Sequence, residues 1–391
     1  MKKSIYSAAI ILVSLIVLTG TVHAQVVIEH QDDSNEEITA DRIGSFYTIL
    51  PAGGYSSDWG LYGGGFFQRI NYDMNVSPFL SILKADFTIS TKGYIVSQVD
   101  YERTETFGLN LRSRVEFIGQ RIKEGHFFGL GNNTRFDPDL FDESFYFYEN
   151  RELFFKYTAR KKISDLGEDG FFDLYGTTTF WTVNAVISDE SLIAVDRPSG
   201  IQNGHVAKVG LGLIADTRNS EFAPTRGFHY DIGLNTTPGL MNSEYRYSEL
   251  IADLRHYLNP FGRVVMAHRF KIEGISGDAP FWALPIIGNQ YGLRGYYLNR
   301  FRGDRTVLQS AEIRSWLFSV LNNQITIGSV LFWDSGRVFS EYDSEAFFSD
   351  WKHTYGIGAV FTLFGPDMIL RADVGFSDET MRIYFSSGFS F

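Results

Sequence analysis

The residues that usually carry enzyme chemistry are sparse in this sequence and show no catalytic spacing. The eight histidines are scattered without an H-E-x-x-H pair, and neither a G-x-S-x-G elbow nor a phosphate-binding G-x-x-x-x-G-K loop occurs. No cysteine is present, which excludes disulfide scaffolds, thiolate metal sites and cysteine nucleophiles. We therefore expect no catalytic residue, no metal site and no cofactor. The enzymatic alternative, a hydrolase, would need a Ser–His pair that no spacing singles out.

Charged side chains instead recur at every second position of otherwise apolar segments. Arg269 and Lys271 do so in one segment, and Arg371 and Asp373 do so in another. The last segment continues the alternation, with Met381, Ile383, Phe385, Phe389 and Phe391 on one face and Thr380, Arg382, Tyr384, Ser386, Gly388 and Ser390 on the other. A period of two indicates β-strands with a single apolar face.

Two architectures place one apolar and one polar face on each strand: a β-sandwich and a transmembrane β-barrel. In a barrel the apolar face meets lipid and the polar face meets a water-filled lumen, so charges in mid-strand cost little. Aromatic residues make up 16% of the chain and suit the interfacial girdles of a barrel. A sandwich of 391 residues would need several domains, and no linker follows residue 42. We predict an all-β, antiparallel transmembrane barrel over residues 43–391.

The alternating segments predict about sixteen strands and an uneven distribution of loops. The approximate strand ranges are 43–51, 58–69, 76–89, 91–101, 105–121, 145–161, 171–186, 204–216, 225–237, 243–258, 261–274, 306–318, 323–336, 353–364, 367–377 and 380–391. The long connections, at 122–144, 187–203, 275–305 and 337–352, all follow odd-numbered strands. An even strand number places both ends of a bacterial barrel in the periplasm, so these loops would be extracellular.

The first 42 residues carry a different pattern. Lys2 and Lys3 precede an apolar run that ends at Val22-His23-Ala24, which predicts a secretory signal peptide over residues 1–24. A membrane anchor is the alternative, but the run is shorter than the ~20 residues of a spanning helix. Residues 25–42 predict an acidic, flexible tail; a calcium loop is the alternative, although no EF-hand spacing occurs. We expect export to the bacterial outer membrane, with lipid as a partner. The net charge of −11 argues against nucleic acid as a partner.

Several short motifs resemble those of one family of barrels. They are Tyr291-Gly292-Leu293-Arg294-Gly295-Tyr296 before strand twelve, Asp216-Thr217-Arg218-Asn219 and Phe222-Ala223-Pro224-Thr225-Arg226-Gly227 between strands eight and nine, Phe332-Trp333-Asp334-Ser335-Gly336 ending strand thirteen, Phe127-Phe128-Gly129-Leu130-Gly131-Asn132, and the final Phe391. In this order they resemble the BamA/TamA superfamily of outer-membrane assembly barrels, also called the bacterial surface antigen family. The resemblance covers the chain after residue 24 and implies a barrel of sixteen strands.

The resemblance also implies a site inside the barrel. In the family the long loop before strand twelve folds into the lumen, where its arginine pairs with acids of the inner wall. By matching motifs, Arg294 would pair with Asp334 and Glu312, with Gly295, Tyr296 and Gly336 completing a loop–lumen lock. The alternation of strands twelve and thirteen independently places both acids on the inner face. The ion pairs either only fix the loop to the inner wall or also control the opening of the barrel.

Two further sets of residues follow from the matched motifs. Asp216, Arg218, Pro224 and Gly227 mark the connection between strands eight and nine as a periplasmic turn motif, held by side-chain hydrogen bonds or available for contact with a substrate. Phe389 and Phe391 resemble the C-terminal assembly signal of such barrels. Their parity also places both rings on the lipid face.

For function, the resemblance implies insertion or translocation of polypeptides, through the barrel or through a lateral seam between its first and last strands. Pro51, Gly53 and Gly54 weaken the predicted first strand, which is consistent with a seam that opens. Only residues 25–42 lie between the signal peptide and the barrel, so we expect no periplasmic POTRA domain. Client polypeptides and separate periplasmic proteins are then the expected partners. The alternative is a passive pore or structural barrel that has lost translocase activity.

Overall fold

A computed structural model of the protein shows one sheet of sixteen antiparallel strands that curves into a nearly closed barrel. The structure describes residues 43–168, 170–321, 325–340, 349–363 and 369–391. The predicted signal peptide (1–24) and acidic tail (25–42) lie outside the described residues. No helix in these ranges is long and apolar enough to cross a membrane.

Each strand pairs with its neighbours in chain order, which confirms the predicted number of strands and their antiparallel arrangement. The strands are β1 Gly44–Ser56, β2 Gly60–Asp73, β3 Val76–Ser90, β4 Tyr94–Arg103, β5 Leu111–His126, β6 Phe147–Leu166, β7 Gly170–Val186, β8 Gly204–Asp216, β9 Gly227–Thr236, β10 Arg246–Leu258, β11 Val264–Asp278, β12 Arg305–Val320, β13 Ile325–Phe339, β14 Lys352–Leu363, β15 Ile369–Phe376 and β16 Met381–Ser387.

The remaining elements are short and lie in the long connections at one end of the barrel, here called the loop end. Helix α1 spans Pro138–Asp142 between β5 and β6, and helix α2 spans Leu192–Asp196 between β7 and β8. The connection from β11 to β12 contains a 3-10 turn at Phe281–Ala283 and a two-residue strand pair, Ile286–Ile287 with Phe301–Arg302. Another 3-10 turn lies at Gly239–Met241. The opposite end, with the shorter connections, is called the turn end.

Two strand boundaries differ from the sequence prediction for local reasons. Strand β1 continues to Ser56, because it is an edge strand that forms a ladder only with β2 in the described part of the chain, and a proline such as Pro51 is tolerated in an edge strand. Strand β5 begins at Leu111 rather than near residue 105, because Phe107 and Asn110 adopt positive φ angles of 57° and 49° and form a turn.

The final residues correct a prediction made from alternation. Strand β16 ends at Ser387, and Gly388 has a φ of 75°, so the period of two does not extend beyond it. Phe391 is only 7% exposed and packs against Tyr257 and Ala267 inside the barrel. Phe389 and Phe391 therefore lie in the lumen, not on the lipid face as their parity predicted.

Alternation elsewhere separates an inner and an outer face as predicted. On β12, Glu312 and Arg314 are buried, whereas Ile313 between them is 46% exposed. On β16, Arg382 and Tyr384 are buried, while Met381 is exposed. The inner wall is therefore lined by charged and aromatic side chains that contact one another, and the outer wall presents mainly apolar residues.

Glycines of the inner wall make room for an aromatic ring at the β7–β9 contact. Tyr175 lies across Gly212 of β8 and Gly233 of β9, and its hydroxyl donates to Asp231 at 2.7 Å. A Cβ atom on Gly212 would come within 2.1 Å of Cζ of the ring. Close packing of this kind tolerates no added atom unless the ring moves.

We predict that Gly212→Ala lowers the free energy of unfolding by about 1–3 kcal/mol, because the added methyl group displaces Tyr175 from its bond to Asp231. Urea titration of the barrel in detergent micelles, followed by its heat-modifiable gel mobility, measures the change. Gly176→Ala is the matched control, since the nearest atoms to a Cβ there are 3.8 Å away. Equal stability of the two variants would show that Tyr175 does not need the space.

Candidate functional site

The connection 279–304 between β11 and β12 folds into the barrel, as the sequence predicted for the loop before the twelfth strand. Its two-residue strand pair forms a stem, and its tip carries the Arg294 motif. Apolar side chains of the loop and the wall pack together in a buried cluster made of Ile287, Leu293, Tyr296, Phe301, Leu308 and Val338. This apolar packing helps to position the tip of the loop independently of its ion pairs.

The structure brings Arg294 together with both acids that the motifs indicated, and we call this group of three residues the loop lock. The Arg294 Nε and Nη2 atoms donate to Asp334 at 2.9 and 2.8 Å, and Nη1 donates to Glu312 Oε1 at 2.6 Å. The backbone N–H of Arg294 also donates to Asp334 at 3.1 Å. Its guanidinium lies 3.6 Å from the ring centroid of Phe332. All three charged side chains are buried, so the contacts satisfy groups that water cannot reach.

The loop lock belongs to a larger balanced network that sequence reasoning had not assembled. Arg314 Nε donates to Glu312 at 2.8 Å, and Arg371 Nε lies 2.9 Å from Asp373. Asp373 is also 3.5 Å from Arg294 Nη1. Three guanidinium groups therefore face three carboxylates. Alternation had placed Arg371 and Asp373 on the inner face, but the sequence carries no pattern that pairs them with a loop.

Burial and the neighbouring carboxylates have opposite effects on the pKa of Arg294. Burial alone would lower the pKa of the guanidinium, but the carboxylates of Asp334 and Glu312 raise it above that of a free arginine. The charged state is therefore retained inside the barrel. A planar, bidentate donor suits this position, because lysine could not contact both acids with the same geometry.

Gly295 and Tyr296 bring the loop against the last two strands. Gly295 has a φ of 124°, and a Cβ there would come within 2.8 Å of the backbone of Phe376. Its N–H donates to the hydroxyl of Tyr384 at 3.2 Å. The hydroxyl of Tyr296 donates to Asp378. The close backbone approach explains why a glycine follows the arginine.

Gly336 is a neighbour of the loop stem rather than of Arg294. A Cβ on Gly336 would lie 3.2 Å from Cδ1 of Ile287 and 3.1 Å from the carbonyl oxygen of Val307. The absence of a side chain on β13 therefore lets the stem pass close to the wall.

Additional anchors near the loop end were not predicted from the sequence. Arg300 donates to Glu379 at 2.7 Å and, through Nη1, to Thr134 at 2.6 Å. Arg382 of β16 pairs with Asp58, which follows β1. Alternation placed Arg382 on the polar face, but nothing local in the sequence marks Asp58 as its partner.

The turn between β8 and β9 is held by side-chain hydrogen bonds. Asp216 accepts from the backbone N–H of Arg218 at 3.0 Å, from its Nε at 3.0 Å and from Nδ1 of His229 at 2.9 Å. Gly227 has a φ of 97°, and a Cβ there would collide with the carbonyl oxygen of Thr217 at 2.2 Å. These contacts account for the motif by geometry alone, and contact with a substrate stays a prediction.

The tip of this turn reaches into the barrel mouth. Pro224 is buried, whereas Glu221 and Phe222 before it are exposed. Glu221 pairs with Arg112 of β5 at 3.1 Å, and the ring of Phe222 lies 5.8 Å from the ammonium of Lys84 on β3. The turn therefore spans part of the opening at the turn end, which the sequence motif did not indicate. The assembly role predicted for Phe389 and Phe391 is not tested by their position and stays a prediction.

Comparisons with known proteins agree with this arrangement. Residues 188–391, slightly more than half of the chain, match the Omp85 superfamily domain. Solved structures with the same fold include BamA from Haemophilus ducreyi lacking POTRA domains 1–3, with 14% identity over 89% of this chain and a TM-score of 0.57. CdiB from Acinetobacter baumannii has 14% identity over 88% of the chain and a TM-score of 0.54. CdiB from Escherichia coli has 10% identity over 88% and a TM-score of 0.61.

The chain is shorter than these proteins. It spans 70% of the BamA structure and 59% and 62% of the two CdiB structures. At identities of 10–14% the structural likeness concerns the fold. No curated protein matches the sequence significantly.

We predict that Arg294→Ala frees the loop from the wall, because Asp334 and Glu312 lose their shared counter-ion while still buried. Breaking one side of a buried ion pair typically costs about 3–5 kcal/mol. Single-channel conductance and sensitivity of cells to large antibiotics should rise, and Arg294→Lys should restore only part of the wild-type behaviour.

The control for this change is Arg121→Ala, which removes an ion pair to Glu149 at 2.9 Å at the exposed loop end of the barrel. Little change is expected there, since exposed ion pairs contribute little to stability. Wild-type conductance and antibiotic sensitivity in Arg294→Ala would contradict the assignment of the loop lock.

Proposed function

The chain belongs to the Omp85 superfamily, and from this premise we propose that its barrel inserts or translocates polypeptides at the seam between β1 and β16. A barrel of this family lies in the outer membrane, with its outer face in lipid. The proposal includes export through the signal peptide at residues 1–24, client polypeptides as substrates, and separate periplasmic proteins as partners. No enzymatic step is proposed, since both family and fold are those of assembly and translocation barrels.

The observation that carries the proposal is the weak connection between the first and last strands. Every other neighbouring pair of strands forms a ladder, which a register shift interrupts in β2–β3, β5–β6, β6–β7 and β12–β13, whereas β1 and β16 form none among the described residues. The backbone N–H of Ser57 donates to the carbonyl oxygen of Ile383 at 2.9 Å, and the N–H of Ile383 donates to the Ser57 hydroxyl at 2.9 Å. Both bonds lie at the loop end of the seam.

A third bond crosses the seam from the second strand. The hydroxyl of Tyr62 on β2 donates to the carbonyl oxygen of Phe385 at 3.0 Å. Its ring passes over Gly54 of β1, where a Cβ would lie 2.5 Å from the Tyr62 hydroxyl. The glycine that weakens β1 as a strand therefore also admits the side chain that links β2 to β16.

Between this bond and the turn end of the barrel, one edge of β1 is unpaired. From Gly44 to Gly53, β1 pairs with β2 on one side and has no ladder partner on the other in the described part of the chain. An unpaired strand edge presents N–H and C=O groups that another extended chain can pair with. A polypeptide strand is the ligand whose own backbone would satisfy these groups, and lipid cannot do so.

A passive pore is the alternative, and the contents of the lumen favour the first proposal. The loop 279–304 and the balanced network around Arg294 occupy the lumen. At the loop end, an apolar cluster that includes Phe127, Tyr247, Phe281 and Trp282 covers the wall of β7–β11. A lumen that holds a loop and a charged network in this way favours a pore whose conductance depends on movement of the loop or of the seam. Single-channel recordings separate the two functions: a stable open pore supports the alternative, and a mostly closed, flickering one supports the proposal.

We predict that a disulfide in the double variant Ser57→Cys/Ile383→Cys abolishes insertion activity. The two residues are already hydrogen-bonded, and a covalent link would stop the strands from separating. The assay uses the purified barrel in liposomes with a urea-unfolded eight-stranded outer-membrane barrel as the probe, and follows insertion by protease protection. Wild-type protein should accelerate insertion severalfold, the oxidised variant should not, and reduction should restore the activity.

The matched control is Ser319→Cys/Thr326→Cys, which links two directly paired positions of the β12–β13 ladder whose hydroxyls are 3.0 Å apart. This disulfide should leave insertion unchanged. Full activity of the oxidised seam variant would overturn the lateral route. Failure of the wild-type barrel to accelerate insertion of the probe would overturn the proposed function itself.

A further inference from the structure

The outer wall carries a groove across β5–β8, in the part of the barrel away from the seam. Two rows of outward-facing, directly paired positions line it: Phe117, Phe155 and Phe180 in the row nearer the turn end, and Leu153, Thr182 and His205 in the next row. Phe117, Leu153 and Phe180 are 42%, 53% and 48% exposed. These large apolar side chains therefore face the lipid around the barrel and not its lumen.

The groove has the size and chemistry of a site for one hydrocarbon chain. It encloses about 270 Å³, which is near the lower end of the volumes of small-molecule sites, and aromatic and aliphatic side chains form most of its lining. The rings of Phe155 and Phe180, which both line the groove, lie 6.4 Å apart between centroids. A lipid acyl chain is narrow and wholly apolar, so it can occupy this space without leaving a polar group unpaired.

A surplus of positive charge borders the groove on its loop-end side. Arg151 lies two residues before Leu153 on the same face of β6, a distance of roughly 7 Å along the strand. Its Nε donates to Glu149 at 2.6 Å, but this carboxylate also accepts from Nε and Nη2 of Arg121 at 3.0 and 2.9 Å. Because the bidentate contact with Arg121 already neutralises Glu149, the charge of Arg151, whose side chain is 52% exposed, is not balanced within this group.

The position of Arg151 matches the boundary of a membrane. The next charged residue on the outer face of β6 is Lys161, ten residues further along the strand. The outward positions between them are Leu153, Phe155, Tyr157 and Ala159. A strand needs about 9–11 residues to cross the hydrocarbon core of a bilayer. Arg151 therefore lies at the level of the headgroups in the leaflet at the loop end, and the groove lies beside it among the acyl chains.

We propose that this groove binds a membrane lipid that carries a negatively charged phosphate, with one acyl chain in the groove and the phosphate on Arg151. A guanidinium can donate two parallel hydrogen bonds to phosphate oxygens, which suits arginine to this headgroup. The charge selects the headgroup and the aromatic row holds the chain, whereas an apolar groove alone would accept any lipid. The site does not depend on insertion or translocation, because the seam lies elsewhere on the wall.

Photo-cross-linking in lipid vesicles tests the site. The purified barrel is placed in phosphatidylcholine vesicles with a small fraction of phosphatidylglycerol that carries a diazirine in one acyl chain, and the labelled peptides are identified by mass spectrometry. Peptides of β5–β8 should be labelled severalfold more than those of the other strands. The same diazirine chain on phosphatidylcholine, whose headgroup has no net charge, should label them less. Even labelling around the barrel, or equal labelling of β5–β8 by both lipids, would overturn the proposal.

Variants of the charged end separate the site from general attraction. Arg151→Gln should lower the labelling of β5–β8 by phosphatidylglycerol about fivefold, the factor that one basic residue beside an anionic lipid typically supplies, and leave labelling by phosphatidylcholine unchanged. Glu149 keeps its bidentate partner Arg121 in this variant, and Arg151→Lys should retain part of the preference. Lys161→Gln, on the same face of the same strand, is the matched control. An equal loss in Lys161→Gln would show that the groove does not hold the headgroup.

Filling the groove tests its apolar part without altering a charge. Thr182→Trp places a large ring beside Leu153, its directly paired position, and should reduce the labelling of β5–β8 by both lipids. Thr178→Trp, on the same face of β7 but outside the groove, is the control and should not. Heat-modifiable gel mobility shows that each variant is folded. Wild-type labelling of β5–β8 in a folded Thr182→Trp variant would overturn the groove as the position of the acyl chain.

Discussion

The structure depends on one buried carboxylate, that of Glu312, and on the arginines that neutralise it. An isolated charge in this position would be strongly destabilising, because neither lipid outside nor water inside can solvate it. Arg294 arrives from the loop and Arg314 from the same strand, and both donate to Glu312. The Nε and Nη2 atoms of the same Arg294 side chain donate to Asp334. The folded loop and the wall therefore require each other, since either one alone would leave buried charge without a partner.

This requirement explains the position of the small residues around the network. Gly295 lets the loop backbone touch the backbone at Phe376, and Gly336 lets the stem pass β13. At the seam, Gly54 admits Tyr62, and at the β7–β9 contact Gly212 admits Tyr175. At Gly295, Gly54 and Gly212 the missing side chain lets a polar or aromatic group reach a hydrogen-bond partner, and at Gly336 it makes room for the apolar side chain of Ile287. The high glycine and aromatic content of the chain is thus one feature, in which rings and backbone fill the space that glycines leave.

The sequence predicts most of the architecture, because a period of two determines which side chains face inward without any knowledge of long-range contacts. Sixteen strands and the inward direction of Glu312 and Asp334 follow from it. The same rule fails at Phe391, because Gly388 adopts a positive φ and ends the strand, and alternation has no meaning beyond that point. It also cannot find Asp58 as the partner of Arg382, since 324 residues separate them and only closure of the barrel brings them together.

The hydrogen bonds between neighbouring strands are not spread evenly around the barrel. Fifteen neighbouring pairs are joined by ladders, and these dominate the stability of the wall. The remaining contact between β1 and β16 relies on Ser57, Tyr62 and the Asp58–Arg382 pair near the loop end. Opening this contact breaks few bonds, while opening any other contact breaks a ladder. Within the described residues, the contact between β1 and β16 is therefore the one that opens with the loss of the fewest backbone bonds. The loop lock lies close to this contact, because Gly295, the residue after Arg294, donates its N–H to the hydroxyl of Tyr384 on β16.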